Sequence, residues 1–411
     1  MRADAHLLYH AYQAQADVLW PLRFITEATL PLLNEARDGP AEKLGLRKLL
    51  AALEVFSLAR LTHRRREFGI AAVTIGGREV AISEEVTQRL PFGSLLHFKK
   101  DYAATQPRVL LVAPMSGHFA TLLRETARTM LVDHDVYLTD WHNARDVPVR
   151  DGCFGLDEYI DYLMIFLRAI GPGAHLVAIC QPCVAALAAT AILAEDGDPT
   201  TPPSLTLMAG PIDCRISPTE VNRVATARSL AWFEQNLIGI VPLRHLGALR
   251  RVYPGFVQLL AFINMNLDRH IESFRSYYQD LSRGDHAKAD ATRNFYLEYF
   301  AVADLPAEFY LETVRTIFQE YALAQGRLSW RGRTIDPGAI RRTALLTVEG
   351  ERDDICSLGQ TLAAHDLCKN LRQYMRTHYI QAGAGHYGVF SGQRWNRHIY
   401  PIVRDVIHHS G

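Results

Sequence analysis

Apolar residues recur at helical spacing through residues 1 to about 65. They do so in LLYHAYQAQADVLWPLRFITEATLPLL and again in GLRKLLAALEVFSLARL, which predicts helices. Such helices are expected to cap a core; adhesion of an amphipathic face to an apolar surface is the alternative. From about 68 the period changes to two. FGIAAVTI, EVAIS and SLLHFKK read as short alternating strands separated by GG and PFG turns. A strand–helix rhythm follows. RVLLVAP precedes SGHFATLLRETARTML, DVYLTD precedes LDEYIDYLMIFLRAI, HLVAI precedes CVAALAATAILAE, and SLTLMAG comes next. Continuous apolar strands alternating with helices predict a mostly parallel sheet covered on both faces.

Residues 212–335 break the rhythm. SLAWFEQNLIGIVPL, FVQLLAFINMNLDRHIESFRSYYQDL, ATRNFYLEYF and AEFYLETVRTIFQEYALAQG are aromatic-rich and helical, with no strand expected between them. The α/β pattern resumes in RTALLTVEGERDD and LRQYMRTHYIQAGAGH. The expected organisation is therefore an N-terminal helical segment (1–65), a first part of an α/β core (66–211), a helical lid insertion (212–335) and the rest of the core (336–411).

Composition narrows the class. The chain has 411 residues, enough for a large core, and its 44 basic and 44 acidic residues balance. Zero net charge argues against a nucleic-acid partner. The N-terminus lacks an uninterrupted apolar stretch of the secretory kind, and no run reaches the length of a membrane span. The six cysteines (153, 180, 183, 214, 356, 368) are expected to be reduced thiols in the cytoplasm. No nucleotide-binding glycine motif lies between a strand and a helix, and no metal-ligand spacing stands out. The DHD triplet at 133–135 and the terminal HH are expected to be solvated. No cofactor or metal is implied.

The candidate chemistry lies at the end of the strand HLVAI, in LVAICQPCVAALAAT. A nucleophile on a sharp strand-to-helix turn has small residues two positions away on either side, so the turn can tighten. Ala178-Ile179-Cys180-Gln181-Pro182 matches that pattern with Cys180 as nucleophile, although both common glycines are missing. Cys183 is the alternative nucleophile, disfavoured because Gln181 is not small. With Cys180 at the turn, Pro182 falls in the first helical turn, where a missing N–H costs little. Two other readings exist for CQPC: a thiol–disulfide redox pair, or two cysteines packed as small apolar residues.

The rest of the chain decides among these readings. A thiol nucleophile needs a base, and the base an orienting carboxylate. Downstream, LLTVEGERDDIC is a strand followed by a loop carrying Asp353, and THYIQAGAGHYGVF is a strand followed by glycine turns around His386. The order nucleophile, acid, histidine is that of α/β-hydrolases. Asp354 is the alternative acid, set aside because the turn begins at Gly350 and leaves Asp354 as a surface cap. His378 lies within its strand and reads as a packing residue. The oxyanion hole is expected from the backbone N–H groups of Gln181 and of Ser116, in the loop after RVLLVAP. A plain turn is the alternative for PMSGH.

At these residues the sequence resembles the intracellular polyhydroxyalkanoate (polyhydroxybutyrate) depolymerases. The stretches that carry the resemblance are YLTDWHNARDVP (137–148), FGLDEYIDYL (154–163), CQP (180–182), LMAGPIDCRISPTEVN (207–222), VEGERDDICSLGQT (348–361) and GAGHYGVFSGQRW (383–395). The resemblance implies an α/β-hydrolase fold with a helical lid and a Cys180–Asp353–His386 triad. It also implies amorphous polyester granules as substrate and partner, and no metal. The same DW.N element and cysteine nucleophile occur in polyester synthases, so a synthase or acyltransferase is the neighbouring alternative. Cys183 is a departure that keeps two thiols in contention. Water or another thiol could accept the acyl group, and a homo-oligomer is left open.

Overall fold

The continuous apolar runs form the middle of one sheet. This computed structural model describes residues 5–35 and 45–410. Its first seven strands are β1 (Ala72–Ile75), β2 (Arg78–Leu90), β3 (Gly93–Lys100), β4 (Arg108–Val112), β5 (Asp135–Trp141), β6 (His175–Ile179) and β7 (Ser204–Met208). Between β7 and the two last core strands lie three short pairing strands, β8 (Gly239–Ile240), β9 (Arg251–Tyr253) and β10 (Leu305–Pro306), and a hairpin of β11 (Ser329–Trp330) and β12 (Arg333–Thr334). Strands β13 (Ala344–Gly350) and β14 (Arg376–Gln381) complete the nine-stranded sheet, in the order β1-β2-β3-β5-β4-β6-β7-β13-β14.

Strands β1, β2, β3 and β5 pair antiparallel, and every pair from β5 to β14 is parallel. Setting aside the short outer strand β1, this is the strand order of the α/β-hydrolase fold. All residues of β6 and β7 are buried, which is why those strands read as unbroken apolar runs rather than alternating ones. In β2 most side chains are exposed, so its polar second half, EEVTQRL, gave no apolar signal and the strand runs longer than EVAIS suggests.

The helices follow the same logic. The N-terminal pair is α1 (Ala5–Glu35) and α2 (Leu46–Leu58). Next come α3 (Arg124–Met130), α4 (Leu156–Ile170) and α5 (Cys183–Glu195). Helix α5 is buried on every side from Cys183 to Leu193, and its alanines let it lie close to the sheet. The stretch 116–131, read as one helix, is instead a loop, a 3-10 turn over Ala120–Leu123 and the short α3. The segment between β7 and β13 holds α6 (Glu220–Thr226), α7 (Leu230–Leu237), α8 (Gly255–Met265), α9 (Leu267–Arg283), α10 (His286–Tyr299) and α11 (Ala307–Thr313). It is therefore helical as expected, but not free of strands: β8, β9 and β10 form their own small sheet. The helix expected to run on from α11 passes into a π-turn at Val314–Gln319 and ends there.

Buried polar pairs tie the added segments to the core. Tyr9 of α1 donates to Asp304 at 2.5 Å, and Asp304 also accepts the Gly255 N–H at 2.9 Å. The DHD triplet is only partly solvated: its two aspartates are half-buried and its histidine is not exposed at all. His134 is fully buried, Asp133 accepts from Tyr400 (2.6 Å), and Asp135 meets His97 (2.7 Å). The triplet sits where the final helix Tyr400–His409 returns against the sheet, so tertiary contact, not local polarity, set its burial.

Candidate active site

Strand β6 ends at Ile179, and the chain turns sharply to begin α5 at Cys183. Cys180 stands on that turn with φ of 68°, in the left-handed region that a side chain other than glycine's rarely enters. Its N–H is held by the Met208 carbonyl at 2.7 Å, and its own carbonyl accepts from the Cys183 N–H at 3.1 Å. Both bonds hold the conformation against its intrinsic cost. The turn is also crowded. A Cβ on Gly210 would lie 2.2 Å from the Cys183 Cβ and 3.0 Å from the Cys180 carbonyl oxygen, so only glycine fits after β7. The closing glycine of SLTLMAG is the sequence signal for this.

The two cysteines differ in surroundings. Cys180 is half-buried, whereas the Cys183 side chain is fully buried with its sulfur 3.4 Å from the Ala178 carbonyl and 3.6 Å from that of Met208. Burial pushes the Cys183 thiol far above the ordinary range.

His386 opens the short turn after β14, and Asp353 lies in the turn after β13. These two turns are laced together by backbone. The Arg352 N–H donates to the Ala384 carbonyl (2.8 Å) and the Glu351 N–H to that of Gln381 (3.1 Å). Gly350 is needed here as well, because a Cβ would meet the Ala384 oxygen at 2.7 Å. His386 Nδ1 donates to Asp353 Oδ2 at 2.8 Å, with the carboxylate side chain wholly buried. The other carboxylate oxygen accepts the N–H groups of Ile355 (2.9 Å) and Cys356 (2.8 Å). Asp353 is thus fixed at both ends. The opposite ring nitrogen of His386 is not engaged by Asp353, and the Cys180 side chain is near enough to act on the ring. Burial depresses the His386 pKa, but the charges of Asp353 and Cys180 and their hydrogen bonds outweigh it and hold the imidazole well above its ordinary value.

The alternative acid, Asp354, is exposed and takes a hydrogen bond from Asn266 at 3.3 Å. His378 packs in its strand against Thr347 at 2.8 Å. A buried carboxylate that sequence reading missed supports the acid turn. Glu349 accepts the N–H groups of Gly359 (2.9 Å), Thr361 (2.8 Å) and Leu362 (3.0 Å).

The loop after β4 approaches the same turn. Among the described residues, neither the Gln181 nor the Ser116 N–H has a protein acceptor, while the Met115 N–H meets Gln181 Oε1 at 3.4 Å. Trp141 of the DW.N element and the preceding Thr139 act on this loop. Thr139 accepts the Ala113 N–H at 2.9 Å and the Trp141 indole donates to the Ala113 carbonyl at 2.8 Å, which pins the start of the loop. The inserted segment holds the loop's other end through the Ala303 N–H on the Gly117 carbonyl (2.9 Å). Helix α8 lays Gln258 against Gly117.

Residues 209–411 match the family described as PHB de-polymerase C-terminus. The resemblance drawn from the sequence is borne out over that part of the chain, and the match supports an ester hydrolase. No curated protein sequence matches. Similar solved structures include a monoacylglycerol lipase from Paleococcus ferrophilus, 10% identical, with a TM-score of 0.43, covering 79% of this chain and 100% of that one. Another is the 2-hydroxy-6-oxo-6-phenylhexa-2,4-dienoate hydrolase of Rhodococcus sp. strain RHA1, at 14% identity and TM-score 0.41, covering 80% and 99%. A third is a meta-cleavage product hydrolase from Pseudomonas fluorescens IP01, at 15% and 0.42, covering 83% and 98%.

Proposed function

We propose that this chain, whose residues 209–411 carry a PHB depolymerase C-terminus, is an intracellular depolymerase that hydrolyses polyhydroxyalkanoate esters through Cys180, His386 and Asp353. The observation that carries the reading is Cys180 at φ 68° on the strand-to-helix turn, facing a histidine that a buried carboxylate orients at 2.8 Å. Cys180 thiolate attacks the ester carbonyl carbon, and the N–H groups of Gln181 and Ser116 receive the oxyanion. As the tetrahedral adduct collapses, the C–O bond breaks and His386 gives its proton to the leaving alkoxide. The acyl group then stays on sulfur as a thioester. Forming it removes the thiolate charge that helped raise the His386 pKa, so the imidazole becomes a better base for the incoming water. Water addition releases the hydroxyacid and restores the thiol.

A redox role for the CQPC stretch is disfavoured, because the second thiol is buried against backbone carbonyls. Association with a granule surface is supported by exposed apolar side chains on α1, Val18, Trp20, Phe24 and Ile25, beside Leu243 and Leu246. The Asp17–Arg244 ion pair at 2.8 Å joins these two patches.

Hydroxyacid release from amorphous polyester by wild type, Cys180→Ala and Cys183→Ala tests the reading. Release and a trapped acyl adduct by intact-mass measurement should disappear in Cys180→Ala and persist in Cys183→Ala. Undiminished release by Cys180→Ala would sink it. CoA release with polymer growth from hydroxyacyl-CoA would instead favour a synthase.

A further inference from the structure

A cleft of about 740 Å³ opens beside His386, and arginines from three separate elements line it. Arg269 comes from α9, Arg352 from the turn before Asp353, and Arg394 from the short helical turn Gly392–Arg394. Each is exposed, and among the described residues none is ion-paired with a carboxylate. Asp354 faces the same cleft but is held by Asn266. Tyr299 supplies part of an apolar wall. Gly383, with φ of +66°, leaves room for Arg394, since a Cβ there would lie 3.3 Å from a guanidinium nitrogen. The volume lies within the roughly 300–1,000 Å³ typical of sites for small ligands, and is too small for a long run of polymer.

Convergent arginines with so little counter-charge suit an anion, and the guanidinium fork matches a carboxylate best. The direction of the proposed reaction says which anion. His386 gives its proton to the alcohol half of the ester, so that half departs on the imidazole side, where this cleft lies. In a polyester of hydroxyacids, the alcohol half of every ester bond is the half that leads to the carboxylate end of the chain. That terminal carboxylate is the one anionic group such a chain possesses.

We infer that the cleft is a binding subsite for the terminal carboxylate of the polyester or its short oligomers, and that hydroxyacid units are removed from that end. The inference rests on the hydrolase reading above. In the step it governs, the ester C–O bond breaks and the acyl half remains on Cys180. The departing hydroxyacid takes the His386 proton and leaves with its carboxylate among the arginines.

The test compares hydroxybutyrate trimer as the free acid and as its methyl ester, which keeps every ester bond but lacks the charge. Wild type should favour the free acid by about tenfold in kcat/KM, the scale of one charge-assisted contact. Arg269→Met, Arg352→Met and Arg394→Met should each bring the ratio of free acid to methyl ester down toward one, mainly through KM for the acid. Lysine at the same positions should restore part of it. An isotopic label in the carboxylate-terminal unit should appear first in released monomer. Equal hydrolysis of both trimers by wild type, or a ratio unmoved by all three variants, would overturn the subsite while leaving the hydrolase intact. Hydrolysis of neither trimer would remove the hydrolase reading, and the subsite with it.

Discussion

Replacing Asp353 by Asn changes one oxygen in the group that orients His386. Asn can keep the two backbone contacts now made by Oδ1, from Ile355 and Cys356, so the acid turn should hold its shape. What it loses is the contact to His386 Nδ1 at 2.8 Å, between a ring only 6% exposed and a carboxylate that is wholly buried. A charge-assisted bond of this kind is worth about 1.5–3 kcal/mol, which is about 10- to 150-fold in rate. The amide N–H₂ would also turn Nδ1 into an acceptor and place the ring proton on the side of Cys180, the wrong tautomer for taking a proton. Where a serine triad suffers that reversal, the loss reaches about ten-thousandfold. We expect kcat/KM on a soluble butyrate ester to fall about 100- to 10,000-fold with the fold retained by circular dichroism.

The pH profile should move with it. In the wild type the raised His386 pKa means that protonated His386 contributes stability fully below its unfolded value near 6.5, and that this is lost as pH rises through the folded value. Asn removes the Asp353 charge and leaves burial, which lowers the pKa, so the alkaline limb of kcat/KM should shift toward acid. Asp354→Asn, at an exposed residue, should stay within about threefold of wild type. Wild-type kcat in Asp353→Asn, or a larger loss in Asp354→Asn, would refute the assignment.

Gly210→Ala should destabilise the protein by about 3 kcal/mol or more, because the new Cβ would meet the Cys183 side chain at 2.2 Å where neither backbone can yield; denaturant titration checks this. Glu349→Ala strips a buried carboxylate from the N–H groups of Gly359, Thr361 and Leu362, and a loss of about 2–4 kcal/mol is expected by the same assay. Tyr9→Phe leaves buried Asp304 short of its 2.5 Å partner and should cost about 1–3 kcal/mol, with faster proteolysis of the N-terminal helix. Trp20→Ser with Phe24→Ser should lower co-sedimentation with amorphous polyester while hydrolysis of a soluble ester persists; co-sedimentation at the wild-type level would exclude this face from adhesion.

Much of the site was legible because it is encoded locally. A strand buried on both faces must be apolar throughout, so HLVAI and SLTLM announce themselves, and LDEYIDYLMIFLRAI gives its helix to the residue. A thiol on a tight turn needs small neighbours, which CQP and its flanks display. Asp353 and His386 each follow a strand and precede or enter a turn. The turn that begins at Gly350 favours Asp353 over Asp354 in the sequence, but only the fold brings Asp353 to two backbone donors and the imidazole and leaves Asp354 exposed.

Local pattern along the chain marks most strands and helices of the core, the places where it bends, and the side chains available at those bends, because such properties depend on neighbours a few positions away. The strand order, the burial of Cys183 and His134, the need for glycine at 210, and the meeting of Arg269, Arg352 and Arg394 beside His386 come from the folded arrangement alone. Each of these is set by the approach of residues distant along the chain, and burial, steric exclusion and the summing of charge act through space rather than along the backbone.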